Sequence, residues 1–442
     1  KLDIMDQEMS KSQKVRIQYA SKYARVSNYW KYFIGQSEQL VKNRVFDKKQ
    51  KIENSFTIWY KNNELDKTYS ESLSLIENAL KNSTKFTIPK VYFQEAIVGS
   101  ELILFMLRNF GPRTALFKAL NSGEGVVDAK DNLLKAAKSF YKDYNATIDE
   151  NTLAAVLSLY SNDVPKEFQP ELLISLDDKY KGDFKKVASN YFKKSPFKSY
   201  DLFKAWLTSD KLSVKMIEKD LVYQLKNEFL DVYRAKVMTP NSAFDGDYKK
   251  GMRLFVDGLQ KMGMNKASDA NSTMRFTYGN VLSYKPADAV HYDFYTTLEG
   301  VMQKEVITED KNHEFYVPQK LKDLYNAKDF GPYARKEDGK LPVGFLSNND
   351  ITGGNSGSPV INAHGELIGT AFDGNWEAMS GDIYFEPNIQ RTISVDIRYS
   401  LFIIDKYAGA KHLIDEMNIV TDRHVEEKLE TSPASANPVP EK

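Results

Sequence analysis

Sixty-one Lys and Arg against 60 Asp and Glu leave a chain of 442 residues with a net charge of +1, so no global field steers it toward nucleic acid or an anionic membrane. A composition 42% hydrophobic and 12% aromatic excludes a disordered chain and allows two or three domains. Cysteine is absent, which removes disulfides, thiolate metal sites and a cysteine nucleophile but leaves the compartment open.

The chain opens Lys1-Leu2-Asp3-Ile4-Met5, with neither an initiator Met nor a signal peptide, and residue 1 is expected to be internal to the natural protein. No apolar run approaches the ~20 residues of a membrane span. Glycine then divides the chain: six of the 23 precede residue 240 and 17 follow it, so two parts of different class are expected. In the first, Val15, Tyr19, Tyr23, Val26, Trp30 and Phe33 recur at steps of three and four, the stripe of an amphipathic helix. Similar stripes around 68–81, 91–109, 130–144, 150–160, 198–206, 212–236 and 247–261 are separated by short polar or Pro/Gly segments such as Phe110-Gly111-Pro112. Their lengths vary and no motif returns at a fixed period, which favours a compact bundle over a solenoid. Residues 1–268 are expected to form an all-helical domain.

From about residue 273 the texture changes to β-branched and aromatic residues between turn signals, as in 275–279, 290–297 and 367–372. Residues 358–362 and 366–372 flank Ala363-His364-Gly365 and should pair as a hairpin, and 395–405 leads into a final helix ending near Val420. The β region is placed at 269–420. The tail, 421–442, is polar and rich in Pro and Ser, and is expected to be disordered.

Just before that hairpin stands Gly353-Gly354-Asn355-Ser356-Gly357-Ser358-Pro359. A serine hydroxyl is a weak nucleophile, so a site that uses one needs a sharp turn to expose the oxygen and backbone N–H groups aimed at the developing oxyanion. Glycines at 353, 354 and 357 permit such a turn, with the N–H groups of Gly354 and Ser356 as the candidate oxyanion hole. A glycine-rich hairpin loop is the bland alternative. A base is also required, and none of the five histidines is marked as one. His364 sits at the far end of the hairpin, His291 in a predicted strand, His313 in a charged loop, and His412 and His424 near the last helix and tail. This chemistry calls for no cofactor and no metal.

The serine segment, followed by a strand, a tight turn and a second strand, resembles the serine loop of chymotrypsin-like peptidases, which more often reads Gly-Asp-Ser-Gly-Gly-Pro. In trypsin-like members the Asp pairs with a newly cut N-terminal ammonium. Asn355 cannot form that ion pair, so activation by N-terminal cleavage is not expected. Residues 372–382, 295–300, 19–24 and 28–31 together resemble the bacterial dipeptidyl-peptidase 7 and 11 family over nearly the whole chain, the tail excepted.

That resemblance implies an α+β chain: an all-helical domain capping the cleft, followed by the C-terminal β-barrel of a chymotrypsin-like double barrel. It also implies release of dipeptides from the N-termini of oligopeptides by acyl-enzyme chemistry on Ser356. In the chymotrypsin order His and Asp precede Ser, so the catalytic His and Asp are expected upstream of Lys1 and the chain alone to be inactive. Asp373 and Asn28 match the family residues that hold the substrate ammonium, for which a carboxylate and an amide oxygen are the chemical match. Off the apolar stripe, Asn28 reads equally as a solvated helix residue, and Asp373-Gly374 as a hairpin turn. Gly374 matches the P1-pocket position where an arginine goes with acidic P1 residues; glycine leaves the pocket uncharged, and hydrophobic P1 is expected. Phe372 and Trp376 are candidate pocket walls or ordinary core. The resemblance further implies a periplasmic or cell-surface location and leaves a homodimer open. The competing readings are a glutamyl-endopeptidase-like enzyme, which lacks a reason for the helical region, and a non-catalytic peptide-binding or helical interaction module.

Overall fold

Helix follows the apolar stripes through most of the first 264 residues of the computed structural model, which describes residues 1–264, 274–308 and 313–421. The first stripe lies in the helix Gln13–Lys42. Tyr19 is fully buried against Met5 and Ile148, with Val15 and Tyr23 half-buried beside it. Farther along the same stripe, Trp30 and Phe33 are 56% and 59% exposed, while Gly35 and Gln39 are buried on a later turn. The later stripes fall in Ser72–Ser83, Val126–Lys142, Ala146–Asp163, Tyr200–Leu207 and Asp245–Lys261. The stripe at 212–236 is broken at Asp220, whose carboxylate accepts from the Val222 and Tyr223 N–H groups and starts a new helix, Leu221–Val232.

The described chain divides into two units, Lys1–Tyr32 with Phe46–Asp269 and Phe33–Val45 with Ala270–Lys442. The expected boundary near residue 268 and the tail beyond residue 421 lie outside the described residues. No described helix is long and apolar enough to cross a membrane.

The first unit is held by aromatic packing. Phe110 meets Phe197 edge to face at 5.1 Å and Phe105 stacks on Phe140 at 4.5 Å, contacts worth about 0.5–1.5 kcal/mol each beyond the area they bury. A smaller cluster packs Phe56, Tyr60 and Tyr69 against Leu254 and Phe255, and Gly258 makes that approach possible. A Cβ at Gly258 would stand 2.2 Å from Cε2 of the fully buried Phe56. Gly→Ala inside a helix ordinarily stabilises by about 1 kcal/mol. Here the ring has nowhere to go, and Gly258→Ala is expected to destabilise by about 1–3 kcal/mol, read as a lower urea midpoint.

Asp149 is the buried polar node of this unit. Its carboxylate accepts from the Glu101 and Leu102 N–H groups, both at 2.8 Å, at the start of the helix Glu101–Asn109. Burial outweighs those donors and pushes its carboxyl up to about 6. Because the folded value lies above the unfolded one, the stability Asp149 contributes is fully present below about pH 4. It is lost as pH rises through 6, by up to about 3 kcal/mol. Urea unfolding of wild type and Asp149→Asn should show wild type losing that much, relative to the variant, between pH 4 and pH 7.

The second unit carries short strands: β1 Tyr284–Ala287, β2 Val290–Tyr292, β3 Tyr295–Thr297, β4 Pro342–Ser347, β5 Pro359–Ile361, β6 Leu367–Gly374 and β7 Thr392–Asp396. β1 and β2 form a hairpin, and the others an antiparallel sheet in the order β3-β4-β7-β6-β5. Among the described residues the expected C-terminal barrel is not there. Closure requires the two edge strands to pair with each other or with further strands, and the edges here are β3 and β5, three residues each. The helix Ile397–Phe402 instead packs on β4, β6 and β7, burying Leu401 and Phe402 with Leu298, Leu321, Phe330 and Leu341. The described residues are mostly helical with two small antiparallel sheets. The β-branched texture of the second part specified strands, but neither their number nor their closure.

The hairpin expected at 358–372 is β5-β6. Its turn is held by the Asn362 side-chain oxygen, which accepts from the His364 and Glu366 N–H groups, with Gly365 at φ +80°.

Candidate active site

The serine loop enters β5 through backbone bonds to β6. The Gly357 N–H donates to the Ala371 carbonyl at 2.8 Å, and the Ala371 N–H returns a bond to the Ser358 carbonyl at 2.9 Å. Gly354 at φ +104° and Gly357 at φ +83° make the turn, in a region closed to residues with a Cβ. Between them Ser356 is exposed, and its hydroxyl donates to the Phe372 carbonyl at 3.4 Å. Neither the Gly354 nor the Ser356 N–H bonds another described residue, which leaves both donors available to an oxyanion.

Asn355 holds the loop from behind. Its side-chain oxygen accepts from the Thr352 N–H at 3.2 Å and from Arg275 Nη2 at 3.3 Å. The Thr352 hydroxyl donates to Asp382 at 2.8 Å. A neutral amide braced by a guanidinium and a backbone N–H thus holds the loop. The sequence marked Asn355 as a departure but carried no local signal for Arg275 or Asp382, which lie 80 and 27 residues away along the chain.

β6, which pairs with β5 in the sheet, carries Phe372, Asp373 and Gly374. Its register against β7 shifts between Ala371 and Asp373. Phe372 is therefore the extra residue of a bulge, a device that re-aims side chains beside sites. Asp373, opposite Ile393, is exposed and accepts from the Gly374 N–H at 2.8 Å. Gly374 lies outside the left-handed region, and a Cβ there would meet only Ala378 Cβ, at 3.0 Å. Phe372 is 63% and Trp376 41% exposed, so neither is core.

Behind Gly374 the chain is rigidly held. Asn375 is buried, accepts from the Arg391 N–H, and donates to the Ile389 carbonyl and to Glu377, each at 2.9 Å. The Tyr284 hydroxyl donates to the same Glu377 carboxylate at 3.0 Å, and burial pushes that phenol up to about 12. The buried Arg391 guanidinium donates to the carbonyls of Leu282, Ser283, Pro387, Asn388 and Gln390. That cation is occupied by backbone oxygens.

Asn28 lies in the other unit, exposed on the helix Gln13–Lys42 and bonded to no other described residue. None of the described histidines bonds Ser356. His364 caps the far turn of the β5-β6 hairpin through its N–H to Asn362, His313 Nδ1 accepts from the Phe315 N–H, and His291 and His412 are exposed. His424 lies outside the described residues. A groove of about 860 Å³ in the first unit, lined by Arg108, Arg113, Lys226 and Arg234, includes none of the site candidates.

The family model for Peptidase S46 matches residues 1–419. A dipeptidyl-peptidase 7 from Phocaeicola vulgatus is 43% identical over 430 residues, covering 95% of this chain and 57% of that protein. An Asp/Glu-specific dipeptidyl-peptidase from Flavobacterium psychrophilum is 38% identical, covering 95% and 58%. The crystal structure of Porphyromonas endodontalis DPP11 in complex with the dipeptide Arg-Glu superposes with a TM-score of 0.82 at 33% identity, over 94% of this chain and 58% of that one. The chain spans a little over half the length of these relatives.

Proposed function

This chain belongs to the peptidase S46 family, and from that premise we propose that the protein carrying it is a serine-type dipeptidyl-peptidase, releasing N-terminal dipeptides from oligopeptides. The observation that carries the reading is the placement of Ser356. It is exposed between two left-handed glycines, the Gly354 and Ser356 N–H groups bond no other described residue, and it touches the carbonyl that immediately precedes Asp373. Ser356 Oγ attacks the scissile carbonyl, and the Gly354 and Ser356 N–H groups receive the oxyanion. The proton goes to a general base, and none of the described histidines bonds Ser356. Asp373 is the candidate partner of the substrate ammonium, and Asn28 a separate candidate that rests on the family resemblance alone. Asp373 sits one residue beyond the carbonyl that Ser356 touches. The names of the peptidase S46 relatives, dipeptidyl-peptidases, favour a dipeptide as the released product.

For P1 the proposal is a hydrophobic side chain. Gly374 contributes no charge, Arg391 is occupied by carbonyls, and the nearest ionisable neighbours along the segment, Asp373, Glu377 and Asp382, are acidic. Acidic P1 is the second reading. It is favoured by the guanidinium of Arg275 beside the serine loop and by the name of the Flavobacterium psychrophilum relative. Fluorogenic dipeptidyl substrates with Leu, Phe, Asp or Glu at P1 separate the two: dominant hydrolysis after Asp or Glu, lost on Arg275→Gln, would replace the first reading with the second. The reading places the enzyme in the periplasm or at the cell surface, on its resemblance to the dipeptidyl-peptidase 7 and 11 family.

A further inference from the structure

Trp376 follows the well-braced Asn375, yet its own indole is 41% exposed and is held from one helical turn of Gln13–Lys42. The indole N–H donates to Glu38 Oε2 at 3.1 Å. Three residues earlier on that helix stands Gly35, where a Cβ would come within 2.8 Å of Met379 Cγ and 3.2 Å of Trp376 Cη2. A glycine inside a helix costs about 0.5–1 kcal/mol relative to alanine, so its place there calls for a packing reason, and the approach of Met379 and Trp376 supplies one. The N–H-bearing edge of the indole thus runs along the turn from residue 35 to residue 38. Glu38 fixes it by a charge-assisted hydrogen bond and Gly35 by the absence of a side chain. All four residues belong to the second unit.

We propose that Gly35 and Glu38 are positioning residues for the substrate's P1 side chain, holding Trp376 as a fixed wall two residues from Gly374. This rests on the dipeptidyl-peptidase reading above. A wall fixed at one distance discriminates by side-chain size: a large P1 side chain packs against the indole, whereas alanine does not reach it. The helix turn therefore contributes to size preference without touching the reacting atoms.

The test uses the full-length protein that carries this chain and compares wild type, Glu38→Ala, Glu38→Gln and Gly35→Ala on dipeptidyl substrates with Leu, Phe or Ala at P1. Glu38→Ala frees the indole, and KM for the Leu and Phe substrates should rise about five-fold, the range of one lost hydrogen bond. Values for the Ala substrate and kcat should stay within about two-fold. Glu38→Gln keeps an acceptor oxygen and should restore most of the discrimination, a rescue that general loosening of the fold would not give. Gly35→Ala displaces Met379 and Trp376 and should alter the same Leu-to-Ala ratio. Glu38 is exposed, so its variants remain informative if Gly35→Ala fails to fold. Unchanged Leu-to-Ala ratios in both Glu38 variants of an active enzyme would overturn the positioning role alone. A wild type that hydrolyses no dipeptidyl substrate would overturn the functional reading and this inference with it.

Discussion

Ser356→Ala is expected to abolish dipeptide release, lowering kcat by about 10⁴-fold or more while KM changes little, because the substitution removes the atom that forms the acyl-enzyme and leaves the binding residues in place. The fold should not notice. Ser356 is exposed, and its one hydrogen bond to a described residue is a 3.4 Å contact with the Phe372 carbonyl, worth little beside the Gly357 N–H bond to Ala371 that anchors the loop. The measurement is steady-state hydrolysis of a fluorogenic dipeptidyl substrate beside a urea unfolding curve. Full activity in the variant ends the assignment of Ser356. Loss of activity together with a large drop in midpoint would mean that the substitution had damaged the loop and not the chemistry.

Gly374→Arg should move P1 preference from hydrophobic toward acidic side chains, changing the ratio of kcat/KM for Leu over Asp substrates by about 10²-fold. The backbone tolerates the change, since Gly374 is not in the left-handed region and its new Cβ meets only Ala378 Cβ at 3.0 Å. Ala378 must give by a few tenths of an ångström. Adding Ala378→Gly removes that contact and should preserve the switch while restoring overall activity. The acidic neighbours Asp373 and Glu377 will compete for the new guanidinium, so the gain for acidic P1 should be smaller at low salt than an isolated Arg–carboxylate pair would give. A preference that stays unchanged in both variants would remove Gly374 from the P1 pocket.

Much of this was legible in residue order because the forces involved are local. Helical stripes, the Asn362-to-Gly365 turn and the two left-handed glycines around Ser356 each depend on residues a few positions apart. Some helices without an assigned stripe were equally legible. Phe184–Lys194 buries Phe184, Val187, Ala188, Tyr191 and Phe192 at steps of one, three and four, a regular amphipathic spacing. What could not be read was set by partners far along the chain. Arg275 braces Asn355 across 80 residues, and Glu38 holds Trp376 across 338. The one local trace of the second pairing was a glycine inside a strongly helical segment, at Gly35.

By itself, then, the sequence determined a helical first part, strands in the second, and a serine in a glycine-bounded turn, the residue proposed as the nucleophile. Backbone propensity, side-chain period and glycine's conformational freedom act over a few residues and can be read there. Only the tertiary structure decided that the strands form an open five-stranded sheet instead of a barrel. Closure depends on whether edge strands find partners, and the short β3 and β5 do not, while the helix Ile397–Phe402 covers the face between them. Only the tertiary structure, too, decided that a bulge at Phe372 aims its carbonyl at Ser356 and that a turn of a distant helix supports the residue beside Gly374. Such contacts depend on the register and packing of whole elements, which no short stretch of sequence contains.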